Sequence, residues 1–479
     1  MKRFENLWQK LTHTKALELS SGRFETLYFE SAYRVTYLAG IYKVNITVEK
    51  KTITVKLFLF LLCVSELWYF LTSQWTIDTT IDSVNITIIQ LSAFYKYTKK
   101  LANESVFRRL ASSMNSEHFD LSTEERNKIF EMWQRRNEGH VKLILGLGTC
   151  TIIAWYIYPL VDDLDYNLSV PIRLPFNYQT PILYPITYIV VITVFSYISY
   201  FVMVNDLIIQ AHLMHLLCQY SILSDCFRHI LRDCKQDFKG LFYDMMRRSF
   251  IVKQNYKNRL GSLTQQHKFI LNNTSDLRDI LSAPMLAQLA VSTTLICSIG
   301  YQLVATSMNV NITKWLMSLL YLGYNMFGLY ILCRWCEEVK IQSTAVGEAV
   351  YFSGWERGIT QVPGVRSSIL LILARCNKPL VLSAGGMYDL SLQAYATVSN
   401  SNNIYVSNIC IWRILTQKKK ESILYTEWGF DSSFTISHQH ISQLLCWVSF
   451  QVARRFKENI NICFFFRWSK HHTAHLRCY

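Results

Sequence analysis

Long apolar stretches alternate along the chain with segments that are rich in charge. Six of these stretches have about the 20 residues that a helix needs to cross the roughly 30 Å hydrocarbon core of a bilayer. They lie near residues 55–72, 81–98, 141–160, 185–210, 285–306 and 314–333. Because backbone groups in lipid must be satisfied within the segment, each stretch is predicted to be a helix. The second is the most polar, since it contains Asp82, Asn85 and Gln90.

Basic residues are distributed very unevenly between the connecting segments. Residues 1–52, 99–140, 212–283 and 334–378 together contain 34 Lys and Arg, whereas residues 73–80, 161–186 and 307–313 contain only Arg173. Under the positive-inside rule, this asymmetry predicts a cytoplasmic N-terminus. The net charge of +15 then belongs to separate inside loops, so a nucleic-acid partner is not expected.

The composition narrows the function classes further. Hydrophobic residues make up 51% of the 479 residues and charged residues 17%, which is typical of a polytopic membrane protein and not of a disordered chain or a soluble enzyme. Met1 to Lys15 contain no apolar core of a cleaved signal peptide, so the first span is expected to act as the signal. No motif positions a catalytic set, and the tail residues Cys463, His471, His472, His475 and Cys478 match no common zinc spacing. We therefore predict no enzyme activity, no cofactor and no metal.

Two inside segments are predicted to be helical in their own right. Residues 212–283 form a charged amphipathic stretch, so the fourth and fifth membrane helices are expected to continue through it into the cytoplasm. Residues 366–382 form a short apolar helix interrupted by Arg375, Asn377 and Lys378, which is too polar to span lipid. Pro379 then predicts a kink, and Gly385-Gly386 a break between two half-helices.

Residues 333–398 carry the most specific pattern in the chain. It includes Cys333-Arg-Trp-Cys-Glu-Glu338, then Gly347-Glu-Ala-Val-Tyr351 and Trp355, then Leu370-Leu-Ile-Leu-Ala-Arg-Cys-Asn-Lys-Pro-Leu380, Ser383-Ala-Gly-Gly386 and Leu390-Ser-Leu-Gln-Ala-Tyr395. This pattern resembles the C-terminal signature of the insect odorant receptor family. The resemblance extends over the topology from about residue 20 to Val398, and it is most specific in the last 65 residues of that stretch.

The resemblance implies an all-α, polytopic bundle of seven helices with inverted topology and a cytoplasmic helical anchor. It implies a tuning subunit of a ligand-gated, non-selective cation channel, assembled as a hetero-tetramer with a shared co-receptor and binding small volatile ligands. The expected location is the plasma membrane of olfactory sensory neuron dendrites. The matching positions assigned to the anchor and to gating are Glu348, Tyr351, Trp355, Lys378, Pro379, Gly385, Ser391 and Tyr395.

This topology divides the chain into six predicted regions. They are a cytoplasmic N-terminal segment (1–52), membrane helices one to four (53–210), cytoplasmic anchor helices (211–284), membrane helices five and six (285–333), an anchor helix with the start of helix seven (334–398), and an atypical tail (399–479) that is expected to be disordered.

The ligand pocket is expected among aromatic residues in the outer halves of the spans. A small apolar ligand must gain affinity from dispersion and aromatic faces, with one or two polar groups to orient it. The candidate pocket residues are Tyr69, Tyr156, Tyr158, Tyr188, Phe195, Tyr301 and Tyr321. The competing interpretation is an aromatic belt at the headgroups, above all for Trp155, Tyr158 and Trp315. Glu66 and Asp206 are candidates for polar contacts within the bundle or at its interface.

The chain departs from the family pattern after Val398. Where the family continues with apolar residues of the pore-lining half-helix, this chain has Ser399-Asn-Ser-Asn-Asn403 and a tail with ten basic and four acidic residues. Helix seven is therefore predicted to be truncated. Because Val-Ser can be encoded by a splice-donor sequence, one hypothesis is that residues 399–479 come from an unspliced message. The alternative function is then a non-conducting read-through isoform of the same family.

Other classes of seven-helix or multi-span protein remain as alternatives. A G-protein-coupled receptor would place its N-terminus outside and carry Asn-Pro in the last span, which this chain lacks. A transporter would show two similar halves with broken spans, and no such repeat is found. Gustatory receptors differ at the end of helix seven, but the match at Glu348–Tyr351 and Lys378–Leu380 favours the odorant branch.

Overall fold

The computed structural model describes residues 28–32, 34–35, 46–72, 77–116, 119–161, 166–236, 245–305, 312–356 and 362–400. All of them belong to one unit of the chain, Met1–Asn400. The helices are α1 (Ile46–Thr72), α2 (Ile77–Ala102), α3 (Glu104–Ser112), α4 (Glu124–Val161), α5 (Leu183–Arg228), α6 (Ile230–Gln236), α7 (Met245–Ala305), α8 (Ile312–Tyr351), α9 (Val365–Cys376) and α10 (392–400). The predicted all-α class is confirmed. Apart from its first two residues, the predicted tail lies outside the described part of the chain.

Each predicted span falls within one helix, except for residue 306, which is not described. Within the described residues, four helices are long and apolar enough to cross a membrane: α4, α5, the Val252–Leu303 part of α7, and α8. Helix α1 contributes the shorter apolar stretch Phe60–Thr72. Helices α5 and α7 have 46 and 61 residues, so both continue well beyond the spans at 185–210 and 285–306.

Helix α2 is not among these apolar helices, and its polar residues are paired inside the bundle. The hydroxyl of Ser298 in α7 donates to the side chain of Asn85, and Gln302 donates to Asp82. The amide of Gln90 donates to Glu66 of α1 over 2.9 Å. Because protein partners satisfy these groups, the polarity that weakens the hydropathy of α2 does not have to face lipid.

The main hydrophobic core surrounds the second half of α5. Residues 207–220 of this helix are all buried, including Gln210, His212, His215 and Gln219. Helices α4, α7 and α8 pack around this segment, together with Tyr28 and Phe29 from the N-terminal segment. Because this part of α5 is buried on every side, other protein segments must surround it. The main core therefore lies around the end of the predicted span and the part of α5 that extends past it.

A buried arginine connects the helices at this end of the bundle. Arg126 of α4 is fully buried and donates to Asp120, Asp225 and Asp233, which come from a loop, α5 and α6. Burial raises the pKa of the Asp120 carboxyl, but hydrogen bonds from Ser122 and the nearby guanidinium groups outweigh this and hold the pKa below its ordinary value. Through these ion pairs, Arg126 ties the loop, α5 and α6 to α4.

The segment after α8 differs from the kinked helix that the sequence predicts. Helix α9 ends at Cys376 instead of continuing to residue 382. Pro379 contributes to this, because a proline disfavours helical backbone at the residue before it. Strands β1 (Ser383–Ala384) and β2 (Tyr388–Asp389) then form an antiparallel hairpin, with Ser383 opposite Asp389. Helix α10 begins three residues later, so the expected break at Gly385-Gly386 takes the form of a hairpin turn.

Candidate ligand-binding cavity

A cavity lies between α2, α4, α5 and α8, within the predicted spans. Its empty volume is about 590 Å³, including the open mouth. Its lining is Ile86, Ile89, Gln90, Gly148, Thr151, Ile152, Trp155, Phe195, Ile198, Ser199, Val202, Met203, Tyr321 and Tyr324. The lining is almost entirely apolar or aromatic, so the cavity suits a ligand that binds mainly by dispersion.

Three aromatic rings from different helices form one wall of the cavity. Trp155 of α4 stacks on Phe195 of α5 with ring centroids 5.4 Å apart and planes inclined by 30°. Trp155 also meets Tyr321 of α8 edge to face at 5.7 Å. These offset and edge-to-face contacts stabilise the rings against each other, so the wall exists before a ligand arrives.

Gln90 is the polar group of the lining that neighbouring side chains orient most firmly. Its Nε2 donates to the buried Glu66, and its Oε1 accepts a hydrogen bond from the thiol of Cys63 at 3.1 Å. The amide retains a second N–H and a second lone pair beyond these bonds. Glu66 therefore acts on the cavity through Gln90, because it is absent from the lining itself.

A glycine of the lining leaves room for a neighbouring side chain. A Cβ atom at Gly148 would overlap Cε of Met203. Met203 therefore occupies the space that any larger residue at position 148 would need. Since a methionine side chain is flexible, this part of the lining can adjust its shape.

The structure brings two of the seven predicted pocket residues to the cavity, Phe195 and Tyr321. Tyr156 and Tyr188 are absent from the lining but lie behind it: the Tyr156 ring meets that of Phe195 edge to face at 6.5 Å, and the Tyr188 hydroxyl donates to the Tyr156 carbonyl. Three others, Tyr69, Tyr158 and Tyr301, are half-buried on α1, α4 and α7 and are absent from the lining. Ligand contact at all seven positions stays a prediction.

Several lining residues were not among the predicted pocket residues. Tyr324 lies one helical turn after Tyr321, so helical periodicity could have indicated it. Gln90 could have been noticed as an amide inside an apolar span. Gly148 and Met203 carry no sequence signal, because their importance arises from the contact between α4 and α5.

The predicted anchor and gating residues do not form a single cluster. Glu348 and Tyr351 are exposed at the end of α8, and the Trp355 indole donates to the Tyr351 carbonyl at 3.1 Å. Lys378 is exposed after α9, and the half-buried Pro379 follows it.

The other three predicted anchor positions belong to the hairpin and α10. The Gly385 N–H donates to the Ser282 carbonyl of α7 at 2.9 Å. Ser391 accepts from the Ala394 N–H at the start of α10, and the Tyr395 ring lies 5.6 Å from that of Tyr330.

Glu337 was not assigned a role from the sequence, although it lies in the C-terminal pattern. Its Oε2 accepts the backbone N–H of Leu392 at 3.0 Å. A helix leaves its first N–H groups without intrahelical partners, so this bond from α8 caps the beginning of α10. Glu337 therefore fixes the last described helix to the bundle.

Two clusters contain residue types that could bind a metal ion or take part in redox chemistry, but their surroundings give them structural roles. Glu125, Asp225 and His229 come close enough to hold a metal ion, but Glu125 already pairs with Arg232, and Asp225 with Arg126. Cys333 and Cys336 have the C-x-x-C spacing of redox and metal sites, yet both thiols are buried in the main core.

Comparisons with known proteins agree with the resemblance of the C-terminal pattern. A family model described as 7tm odorant receptor matches residues 76–402. Odorant receptor 13a of Drosophila melanogaster is 23% identical over 344 residues, which cover 68% of this chain and 78% of that protein. The odorant receptor coreceptor of the same species is 24% identical over 135 residues, or 28% of this chain and 26% of that protein.

A solved structure has the same fold. The olfactory receptor OR5 from Machilis hrabei, in complex with eugenol, superimposes with a TM-score of 0.64. The alignment covers 82% of this chain and 96% of that receptor, with 16% sequence identity.

Proposed function

The chain belongs to the 7tm odorant receptor family of insects, and we propose that it is the tuning subunit of an odorant-gated, non-selective cation channel formed with a shared co-receptor. As a member of this family it is a multi-pass membrane protein and a receptor, not an enzyme. The observation that carries the proposal is the preformed aromatic cavity around Trp155, Phe195 and Tyr321. The cavity suits a small, mainly apolar volatile whose single polar group bonds to Gln90.

Co-expression with an insect co-receptor tests this proposal. We expect volatile ligands to evoke an inward current that requires both subunits. Trp155→Ala should raise the ligand concentration for half-maximal current at least about tenfold, because it removes the largest ring of the cavity wall. The matched control is Trp68→Ala, which removes an exposed tryptophan of α1. Equal effects of both variants at equal surface expression would contradict the assigned cavity.

A second function is favoured by the place where the family match ends. The match stops at residue 402, and the chain continues to Tyr479. A non-conducting isoform would bind ligand and co-receptor without passing current. Sequencing the mature transcript across codon 398, and replacing residues 399–479 by the helix-seven end of a relative, separate the two functions. If the chain with the replaced tail conducts and the natural chain does not, the isoform is supported. If both chains give equal currents with the co-receptor, the receptor is supported.

The proposed location is the plasma membrane of olfactory neuron dendrites. The proposed orientation places the N-terminus on the cytoplasmic side of this membrane. The uneven distribution of Lys and Arg between the loops supports it. The triplet Asn167-Leu-Ser169 then lies outside and is available for glycosylation. A glycan at Asn167 together with an N-terminal tag that is inaccessible on intact cells is the expected result, and an accessible tag would refute the orientation.

A further inference from the structure

A second recess lies at the opposite end of the predicted spans from the candidate outside loops. It is formed by the end of α2, the middle of α5 and residues 280–284 of α7. One side carries three lysines, Lys96, Lys99 and Lys100. The remaining lining is mostly apolar and consists of Phe107, Asn205, Ile208, Ile209, Ile280, Leu281 and Pro284. The recess thus combines three lysine side chains with an adjacent apolar wall.

The lysines of the recess carry more positive charge than their neighbours neutralise. Lys96 is buried and pairs with Asp206. Within the described residues, no ion pair joins Lys99 or Lys100 to a carboxylate, and the nearby Glu104 is bonded to Arg108. Lys100 lies two residues beyond the predicted span, and burial lowers its pKa to about 7, with Glu104 opposing the shift. An added anion would oppose this shift and favour the charged form of Lys100.

Asn205 supplies a separate indication that something polar is missing from the recess. Its side chain is 2% exposed, and its amide nitrogen donates to the Phe201 carbonyl at 2.9 Å. Its Oδ1 is buried and has no hydrogen-bond partner among the described residues. A buried acceptor without a donor is costly, so a ligand that brings a hydroxyl or ammonium group would satisfy it.

The position of the recess along the predicted membrane spans indicates the source of such a ligand. The hydropathy of α2, α5 and α7 independently predicts span limits at residues 98, 210 and 285, and all three limits lie at this recess. The lysines therefore sit where hydrocarbon gives way to headgroups, with Ile208 and Ile209 of α5 on the hydrocarbon side and residues 280–284 of α7 on the cytoplasmic side. The predicted orientation makes this the cytoplasmic leaflet, which contains the anionic lipids.

We propose that the recess of Lys96, Lys99, Lys100 and Asn205 binds the headgroup of an anionic phospholipid. The phosphate lies against Lys99 and Lys100, while a headgroup hydroxyl or ammonium donates to Asn205. The glycerol backbone rests on Ile208 and Ile209. Lys96 keeps its bond to Asp206 and fixes the end of α2 relative to α5. This site is separate from the odorant cavity and requires no channel current.

Native mass spectrometry of the full-length protein in detergent tests the site. The probes are phosphatidylinositol 4-phosphate, phosphatidylserine and phosphatidylcholine, each titrated alone. We expect both anionic lipids to bind at least tenfold more tightly than phosphatidylcholine. The double variant Lys99→Gln/Lys100→Gln should weaken the anionic lipids by about 30-fold, given the typical contribution of a lysine near an anionic headgroup. Lys99→Arg/Lys100→Arg should retain binding, because it keeps both charges.

The matched control is Lys142→Gln/Lys340→Gln, which removes two exposed lysines of α4 and α8 that lie outside the recess. This control should change the affinity by less than about threefold. Equal losses in the two double variants would overturn the proposal, since the binding would then reflect general surface charge. Displacement of the lipid by millimolar inorganic phosphate would also overturn it and indicate a free-phosphate site. Size-exclusion profiles confirm that each variant is folded.

Discussion

Helix α5 passes through two regions that surround it differently. Around the cavity, in its first half, large apolar side chains point out of the bundle, and Ile186 and Ile189 are 58% and 65% exposed. In its second half, residues 207–220 are buried on every side, polar residues included. Outward apolar side chains suit lipid as a solvent, whereas buried amides and imidazoles require protein partners. One continuous helix thus joins a membrane-facing region to a protein-enclosed core.

The two regions also differ in what they leave open. The cavity half keeps an open space behind a wall of mutually stabilised rings. The core half instead closes around Arg126 and its three aspartates. We infer that ligand selectivity depends on the first region and the stability of the fold on the second. The following variants test this division, from the largest expected effect to the smallest.

Removing the buried arginine should have the largest effect. Arg126→Met leaves Asp120, Asp225 and Asp233 without their shared cation, and we expect a loss of about 3–5 kcal/mol in stability. Arg135→Met is the matched control, because Arg135 of the same helix pairs with Glu131 at the exposed surface and should cost under about 1 kcal/mol. Thermal unfolding in detergent measures both. Similar melting temperatures for the two variants would refute the role of the cluster.

The hairpin glycines provide the next comparison. Both have positive φ, 63° at Gly385 and 71° at Gly386, which penalises any side chain. A Cβ at Gly385 would additionally lie 2.6 Å from Cδ2 of Leu286, while nothing lies within 4 Å of one at Gly386.

Gly386→Ala should therefore cost about 1 kcal/mol, and Gly385→Ala about 2–3 kcal/mol. The surface expression and melting temperature of each variant, measured in parallel, check this order. If Gly386→Ala were the more damaging substitution, the packing of the hairpin on α7 would be wrong.

Substitution of the lining residue Gly148 should change selectivity more than stability. Gly148→Ala pushes Met203 into the cavity, so bulky ligands should lose about tenfold in potency and small ones little. Gly146→Ala, on the same helix with no atom within 4 Å of its added Cβ, is the control. Dose–response curves for a homologous series of ligands test this. A uniform loss across ligand sizes would speak against a steric effect.

Acid should weaken the core half by a smaller amount. Burial lowers the pKa of His215 to about 3, and burial together with Arg375 lowers that of His267 to about 4. Below pH 6.5 the unfolded chain therefore binds protons that the folded core excludes, and stability falls as the pH drops from 6.5 towards these values. The expected loss is roughly 1 kcal/mol per histidine at pH 5.5.

His215→Phe checks this pH dependence. Phenylalanine keeps the ring contacts with Tyr28 and Phe29 but binds no proton. The melting temperature of the variant should fall less between pH 7 and pH 5.5 than that of the wild type. An unchanged pH dependence would show that His215 is not the responsible group.

The amino-acid pattern predicts the helices well because lipid imposes a simple requirement on long segments. Apolar runs of about 20 residues must be helical, so the spans within α4, α5 and α8 could be located from hydropathy alone. The motif from Cys333 to Tyr395 was sufficient to indicate the family. The end of α9 could not be placed as well, because apolar residues resume at 380–382 after Asn377 and Lys378, and because the hairpin depends on contacts with α7.

The cavity depended on information that the sequence does not contain. Aromatic residues are frequent in all the spans, and hydropathy fixes neither rotation nor tilt, so Phe195 and Tyr321 could not be distinguished from Tyr69 or Tyr301. Gly148 and Met203 contribute to the cavity only because α4 and α5 pack against each other at these two residues. The class, the family and the charge of the loops could be predicted from the amino-acid pattern, because these depend on composition and local order. The tertiary structure alone decided which side chains face the cavity, the lysine recess and the core, because helix packing sets those directions.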